Sequence, residues 1–212
     1  AAFQIHLSET EKEHNECIAR HGVTPTGFFE KTGILNNSAS FAHCVWITED
    51  DMDILKKYNS TVVHNPASNL KLGSGVMPLS KILKHGINVA LGTDSSASNN
   101  TLDIMKEIYL TAILQKGIDR DPSLIKAEEI VKLATVNGAV SQNRTDCGEL
   151  AVGKKADIIM IDLDSVNNIP MFSPVYTLVY SANSSDVCFN MVDGKVLYEN
   201  GEYKTLDIDK VK

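Results

Sequence analysis

Short apolar runs alternate with amphipathic stretches over roughly the first two thirds of the chain. In the amphipathic stretches, apolar residues recur at every third or fourth position, which is the period of a helix. This alternation is typical of β/α units built on a parallel sheet. It predicts four strands, which lie in the runs AAFQIHL (1–7), SFAHCVWI (40–47), TVVHNP (61–66) and INVALGTD (87–94).

Capping signals predict where the intervening helices begin and end. Thr10 with Glu13, and Thr48 with Asp51, have the spacing of a capping box. A glycine after an amphipathic run is typical of a helix end, so Gly22 predicts the end of the first helix. Further helices are predicted over 77–86, over 101–117 with its end at Gly117, and as one continuous element over 126–140.

The pattern changes near residue 146. The segments GELAVGKKADIIMIDLD (148–164) and DVCFNMVDGKVLYENGEY (186–203) contain short strand-like runs joined by Gly-Lys and Asp-Gly turns. A short helix is predicted near Val175–Ser181, between these segments. We therefore expect two domains, an α/β domain over 1–145 and a small β subdomain over 146–212.

Composition narrows the class of protein. The chain has 212 residues, of which 43% are hydrophobic and 22% charged, as in ordinary globular proteins. Its net charge of −7 argues against nucleic acid or an anionic membrane as a partner. The sequence has no apolar run of the roughly 20 residues that span a bilayer, and it has no signal peptide. Its four cysteines contain no CxxC pair. From these features we expect a cytoplasmic protein. Because the sequence begins AAFQ without methionine, we also expect a piece of a longer protein.

Histidines and one aspartate mark the carboxyl ends of the predicted strands. His6, His43 and His64 lie at or near the ends of the first three strands, and Asp94 ends the fourth. In parallel β/α folds these strand ends converge on one rim. Imidazoles and a carboxylate that meet there form a set suited to a divalent metal ion and to proton transfer.

Each of these residues also has a structural explanation. A single histidine at a strand end is more often a hydrogen-bonded structural residue than a ligand. Asp94 could be a helix N-cap, and Glu9 could complement the positive end of a helix dipole. The remaining polar residues near these motifs are interpreted as turn formers (Asn65, Ser68, Asn69) or surface histidines (His14, His21, His85), and the nearby aromatic residues as packing groups (Phe28, Phe29, Trp46).

The dense motifs of the chain resemble one known family. HLSET, AHCVWIT, HNPASNLKLGSG, LGTDSSASNN and GELAVGKKADIIMID are similar to segments of the metal-dependent amidohydrolase superfamily. The resemblance is strongest to its branch of 5-methylthioadenosine/S-adenosylhomocysteine deaminases and related chlorohydrolases. It covers essentially the whole chain, and HNPASNLKLGSG followed by LGTDSSASNN is its most specific part.

The resemblance implies a distorted (β/α)8 barrel with one catalytic metal ion, zinc or iron, of which we favour zinc. By motif, His6 matches the metal ligand on the fifth barrel strand and Asp94 the ligand on the eighth. Glu9 matches a glutamate that contacts substrate and relays protons, and His43 a histidine beside the reactive water. His64 is expected to have a supporting or substrate-facing role. The implied catalytic set is thus Glu9, His43 and Asp94, and the implied substrate contacts are Glu9, His64 and Asp94.

One family feature is missing from the sequence. The 212 residues contain no His-x-His pair, which in the family supplies two metal ligands from the first strand. We therefore expect an α/β fold comprising the C-terminal half of the barrel, strands five to eight, with part of a β-sandwich. We expect the other ligands to come from a missing N-terminal half or a second chain. Alone, this chain should bind metal weakly, be inactive and self-associate as a homo-oligomer through its unpaired strand edges.

For the function, the resemblance implies hydrolytic deamination of an aminopurine nucleoside, such as 5-methylthioadenosine, S-adenosylhomocysteine or adenosine. Two alternatives remain. The first is another amidohydrolase, such as a guanine or cytosine deaminase or a triazine chlorohydrolase. The second is a non-catalytic fragment or subunit.

Overall fold

Four parallel strands form the first sheet of the protein. The computed structural model describes residues 3–36 and 39–211, so Ala1 and Ala2 of the first predicted run lie outside the described residues. The strands pair in the order β1-β2-β3-β4, as the sequence predicts, which leaves β1 and β4 at the edges. They are β1 (Phe3–Leu7), β2 (Ala39–His43), β3 (Thr61–His64) and β4 (Asn88–Leu91).

The strand register separates the two faces of this sheet. One transverse row joins Ile5, Phe41, Val62 and Val89, of which the last three are fully buried in the core. The neighbouring row joins His6, Ala42, Val63 and Ala90 and points to the opposite face, because successive side chains alternate across a strand. The apolar row anchors the helical layer, and the second row carries a histidine next to small side chains.

Helices follow each strand and cover the apolar face. Leu55, Leu79 and Ile82, which lie on helices, belong to the same buried cluster as Phe41 and Val62, which ties the helical layer to the sheet. The helices of this part are α1 (Glu11–His21), α2 (Pro25–Thr32), α3 (Glu49–Lys57), α4 (Pro66–Lys71), α5 (Leu79–Lys84), α6 (Ser96–Asn99), α7 (Ile104–Asp119), α8 (Ala127–Leu133) and α9 (Val136–Ser141).

Three of these helices, α2, α4 and α6, are absent from the sequence-based prediction. Both α2 and α4 begin with a proline in the first turn, Pro25 and Pro66, where the missing N–H costs nothing. Pro66 does end its strand as predicted, but the residues after it continue as a helix rather than as a turn. The assignment of Ser68 and Asn69 as turn formers is therefore wrong.

Two predicted helix boundaries are also wrong. The helix α7 passes through Gly117 and ends at Arg120, which has a left-handed backbone (φ 55°). Pro122 follows two residues later and disfavours a helical conformation at Asp121, so the chain stops there instead. The predicted helix over 126–140 is broken into α8 and α9, and Asn137 of α9 donates to the carbonyl of Val89 on β4.

The first capping prediction is half right. Thr10 accepts from the Glu13 amide as an N-cap, and Gly22 ends α1 with a left-handed backbone. The Glu13 carboxylate, however, accepts from the amide of Glu9 rather than from that of Thr10. His14 on this helix is not on the surface as predicted, because it is 7% exposed and its Nδ1 lies 3.0 Å from the buried Ser8 hydroxyl.

The last part of the chain forms an antiparallel sheet. Its strands are β5 (Ile158–Ile161), β6 (Val187–Val192), β7 (Lys195–Glu199) and β8 (Glu202–Tyr203), paired in sequence order. The Asp193-Gly194 turn between β6 and β7 has positive φ at both residues, as the Asp-Gly signal predicts. The predicted short helix is confirmed as α10 (Pro174–Tyr180), which packs against α7 and α8, and α11 (Ile208–Val211) follows β8.

No helix in the described ranges is long and apolar enough to cross a membrane. The division of the chain into a domain over 1–145 and a subdomain over 146–212 stays a prediction.

A buried carboxylate links two helix starts on the outside of the sheet. Asp51 is 1% exposed and completes the predicted capping box with Thr48, whose amide donates to Asp51 Oδ2 at 2.9 Å. Its other oxygen accepts from the hydroxyl of Thr24, the N-cap residue of α2. One side chain therefore fixes the N-terminal turns of both α2 and α3.

We predict that Asp51→Asn destabilises the protein by about 1–3 kcal/mol, because the amide nitrogen cannot accept one of the two hydrogen bonds and leaves a buried donor unpaired. The measurement is the free energy of unfolding in urea. Asp50→Asn is the matched control, since it removes a carboxylate from an exposed position in the same helical turn. Equal effects of the two substitutions would contradict the proposed link between the helices.

Candidate metal centre

Three side chains from three strand ends meet at one rim of the parallel sheet. A ring nitrogen of His6, a ring nitrogen of His43 and a carboxylate oxygen of Asp94 all lie within 4.8 Å of one another. The two imidazole rings are in edge contact, with centroids 5.0 Å apart. Within the described part of the chain, this is the group of histidine, cysteine and acidic side chains that could hold a metal ion.

His43 is held in one orientation and one tautomer. Its Nδ1 lies 2.8 Å from Oδ1 of Asn69, an atom that only accepts, so Nδ1 carries a proton and, in the neutral ring, Nε2 has the free lone pair. The backbone of His43 is left-handed (φ 74°), which is uncommon for a residue with a Cβ atom. This conformation ends β2 and, with the Asn69 contact, fixes the ring at the rim.

Asp94 lies three residues beyond the end of β4 and is not an N-cap. The N-cap of α6 is Ser95, whose side chain accepts from Ser98, and the Ser95 amide donates to Asp94 Oδ1 at 2.7 Å. The hydroxyl of Ser68 donates to Oδ2 at 2.5 Å. Burial acts to raise the pKa of Asp94, but the hydrogen bonds from Ser68 and the neighbouring serines outweigh it, so the pKa is lowered and the group is ionised near neutral pH.

Glu9 lies beside the histidines and is positioned by a loop far away in sequence. Its Oε2 lies 3.7 Å from Nε2 of His43, and its Oε1 accepts from the hydroxyl of Ser74 at 3.1 Å. The carbonyl of Ser74 in turn accepts from the indole N–H of Trp46 at 2.8 Å. Through this hydrogen bond Trp46 orients the loop, in addition to the packing role predicted for it. Its side chain is 38% exposed.

His64 is buried beneath the rim. It is 2% exposed, and its Nδ1 has no hydrogen-bond partner among the described residues. Burial, with a smaller contribution from nearby His43, lowers the pKa of His64 to about 3, so its ring is neutral. His64 is not among the described residues that line the cavity at the rim.

A cavity of about 630 Å³ opens on the face of the sheet that carries the cluster. The residues around it come from β1, β2 and β3 and from the segments that follow β3 and β4, and they include Gln4, His6, Ala42, Val63, Asn65 and Asp94. Gly92 also lines the cavity and allows a close approach, because a Cβ atom there would lie 2.4 Å from Oδ1 of Asn65 and 2.8 Å from Val63. The strand that leads to Asp94 therefore requires glycine at this position.

The structure brings His6, His43 and Asp94 together, with Glu9 beside His43. Of the predicted site residues, His6 and Asp94 are among those that line the cavity. Sequence reasoning missed the partners that hold them, chiefly Ser68, Asn69 and Ser74. Ser68 and Asn69 are 0% and 1% exposed, which is unusual for turn residues. Their position directly after a proline that begins a helix is the signal that could have identified them, because it places them on a short buried helix at the strand end.

The parallel sheet, its helical layer and the His-His-Asp cluster define an α/β protein with a candidate metal centre at its strand ends. The chain belongs to the amidohydrolase family, whose model matches residues 1–197. Its fold is similar to that of amidohydrolase proteins with TIM-barrel folds.

Comparisons with individual proteins show which amidohydrolases this chain is similar to. The chain is 46% identical over 99% of its length to 5-methylthioadenosine/S-adenosylhomocysteine deaminase from Acetivibrio thermocellus, of which it covers 49%. It superimposes on a zinc-bound adenosine deaminase from Xanthomonas campestris with a TM-score of 0.94 and 31% identity, covering 98% of this chain and 48% of that one. A zinc-complexed atrazine chlorohydrolase from Arthrobacter aurescens gives a TM-score of 0.92 and 28% identity over 98% of this chain and 46% of that one. The chain thus spans about half the length of these relatives.

We predict that His64 makes the protein less stable in acid. Its folded pKa of about 3 lies below the unfolded value near 6.5, so only the unfolded state takes up a proton between these values. The contribution to stability is complete above about pH 6.5 and is lost as the pH falls toward 3. Relative to the parent, His64→Gln should therefore lose less stability on acidification, by up to roughly 1.4 kcal/mol per pH unit in this window.

The measurement is the free energy of urea unfolding at several pH values from 4 to 7. Val62→Ala is the matched control, since it lies two residues away on β3, is also fully buried and carries no titratable group. It should lower stability by a similar amount at every pH. A parallel pH dependence in the parent and His64→Gln would show that His64 is not the group responsible.

Proposed function

We propose that the protein expressed from its complete gene is a metal-dependent hydrolase that deaminates an aminopurine nucleoside and releases ammonia. The observation that carries this proposal is the convergence of His6, His43 and Asp94, with Glu9 3.7 Å from the free nitrogen of His43. This arrangement joins a cation-binding set to a carboxylate that can move a proton. The similarity to a 5-methylthioadenosine/S-adenosylhomocysteine deaminase supports the substrate class.

The chemistry of the residues fits a bound divalent ion. Neutral imidazole nitrogens and a carboxylate oxygen are the donor types that zinc takes in catalytic sites, and iron accepts the same donors. The Nδ1-protonated neutral ring of His43 and the ionised carboxylate of Asp94 have lone pairs available to a cation beside His6. The zinc bound in two structural neighbours favours zinc.

His6 and Asp94 would hold the ion, which supplies a Lewis acid that generates a hydroxide nucleophile from water at neutral pH. Asp94 accepts the proton of the attacking water at one carboxylate oxygen, and Ser68 keeps the carboxylate ionised. Nε2 of His43 orients the nucleophile toward the ring carbon that bears the amine.

Glu9 donates a proton to the adjacent ring nitrogen and takes up the proton that the added hydroxyl group loses as the carbonyl forms. The proton held by Asp94 passes, with the help of Glu9, to the amine, so that the C–N bond breaks, ammonia leaves and both carboxyl groups return to their starting states. The hydrogen bond from Ser74 to Oε1 leaves Oε2 as the atom that faces the reaction. Glu9 and Asp94 also contact the substrate, and His64 supports this edge of the site from beneath. The cavity of about 630 Å³ is within the range of about 300–1,000 Å³ that small-molecule sites occupy.

We further propose that the parallel sheet is half of an eight-stranded barrel and that the antiparallel sheet is part of a β-sandwich. Two ligands fall short of the three that a catalytic zinc site usually takes from protein, so the others would come from a preceding half of the protein or a second chain. His6 is exposed on edge strand β1, which leaves room for such a complement. The isolated 212-residue chain should then bind metal weakly, self-associate through its edge strands and be inactive.

We predict that the protein from the complete gene releases ammonia from 5-methylthioadenosine, S-adenosylhomocysteine or adenosine. Glu9→Gln should lower kcat about 10²–10⁴-fold, because the amide cannot relay a proton. The measurement is a coupled ammonia assay on these nucleosides and, as alternative substrates, on guanine and cytosine, with release of chloride measured for atrazine. Chelation should abolish the activity, and added zinc should restore it.

Glu16→Gln is the matched control for this substitution. It removes the carboxylate of an exposed glutamate on α1 that pairs with Lys12 at 3.8 Å, and it should leave kcat unchanged. Turnover of a chlorotriazine or a free base in place of nucleosides would transfer the assignment to another amidohydrolase reaction. No turnover of any of these substrates by the zinc-loaded protein would favour the non-catalytic alternative.

A further inference from the structure

A second buried carboxylate lies behind the metal-binding cluster, on a helix that contributes nothing to the cluster itself. Glu107 is in the first turns of α7 and is 0% exposed. Its Oε2 accepts from the amide of Ala67 at 3.0 Å, and its Oε1 accepts from the side-chain amide of Asn99 at 2.7 Å. Burying a carboxylate costs free energy unless it is well hydrogen-bonded, so the identity of its two partners indicates its role.

The first partner belongs to the helix that holds the site. Ala67 is in the first turn of α4, and the next two residues, Ser68 and Asn69, hydrogen-bond to Asp94 and His43. This helix has only six residues, and its N-cap, Asn65, makes no side-chain capping bond. Glu107 therefore supplies from α7 the acceptor that the start of α4 lacks.

The second partner belongs to the loop that carries the aspartate. Nδ2 of Asn99 donates both to Glu107 and to the carbonyl of Thr93 at 2.7 Å, and Thr93 directly precedes Asp94. The backbone of Asp94 is left-handed (φ 60°), a conformation that persists in a non-glycine residue only where its surroundings hold it. The Asn99 side chain holds the peptide on one side of Asp94, and Glu107 fixes Asn99.

We propose that Glu107 is a positioning residue for the metal centre. Its two carboxylate oxygens hold the two segments that supply Asp94 and its partner Ser68. Through these segments it sets the position of the Asp94 carboxylate relative to His6 and His43. This inference rests on the proposed function only in taking the His6–His43–Asp94 cluster as the metal site. It does not depend on which substrate the enzyme uses.

The test is Glu107→Gln in the protein expressed from its complete gene. Glutamine keeps the shape of the side chain, but its NH₂ group must face one of the two donors, so one segment is released. Affinity for zinc, measured by competition with a chromophoric chelator, should fall about 10- to 100-fold. The visible absorption spectrum of the cobalt-substituted protein should also change, because it reports the ligand geometry directly.

Thr111→Val is the matched control. Thr111 lies one helical turn further along α7, is 1% exposed, and its hydroxyl has no partner among the described residues. The substitution should leave zinc affinity and the cobalt spectrum unchanged. If Glu107→Gln fails to fold, Asn99→Ala releases only the Asp94 segment and should weaken zinc binding in the same direction by a smaller factor.

A lower melting temperature for Glu107→Gln with the parent's zinc affinity and cobalt spectrum would overturn the inference, because the carboxylate would then be only a structural link. Absence of zinc binding by the parent protein would overturn it as well. A parent that binds zinc but deaminates no aminopurine would refute the proposed function, and the effect of Glu107→Gln on zinc affinity would still decide the inference.

Discussion

The in-register pairing of four parallel strands is the constraint on which the site depends. One transverse row contains His6, Ala42, Val63 and Ala90, so the carboxyl ends of the four strands lie at the same edge of the sheet. Residues separated by about ninety positions in sequence are thereby brought within the reach of one ion. The apolar row beside it, with Phe41 and Val62, buries the opposite face and prevents a slip by one residue, which would turn every side chain to the wrong face.

The chemistry at the rim requires a second layer of polar residues. A carboxylate and two imidazoles placed close together need fixed charges and tautomers, and hydrogen bonds from α4 provide them through Ser68 and Asn69. Left-handed backbone at His43 and Asp94 has an energetic cost that this layer offsets. The cluster and its supporting contacts are consequently one unit, in which a change behind the site is expected to affect the side chains at its surface.

The sequence predicted the strands well because strong apolar runs and capping signals are local. The parallel sheet and the convergence of His6, His43 and Asp94 at its strand ends followed from the β/α alternation, and the α10 helix followed from the local pattern between the two β segments. The errors concern non-local effects. Gly117 does not end α7, and the roles of Asn137 and Glu107 arise from contacts with residues 40 or more positions away. Burial of Ser68 and Asn69 likewise depends on packing against α7, which no local pattern encodes.

Substrate choice cannot follow from the cluster alone. A deaminase and a chlorohydrolase both superimpose on this chain over nearly its full length, so a common scaffold serves reactions with different leaving groups. In the proposed function, an activated water, a proton relay and a positioned carboxylate carry out the hydrolysis, whereas recognition of a purine or a ribose needs further contacts. The cavity wall described here offers Gln4 and Asn65 as polar groups besides the cluster. The open side of the cavity, next to the exposed His6, is the place where groups from outside these four strands can reach a substrate and decide between the reactions.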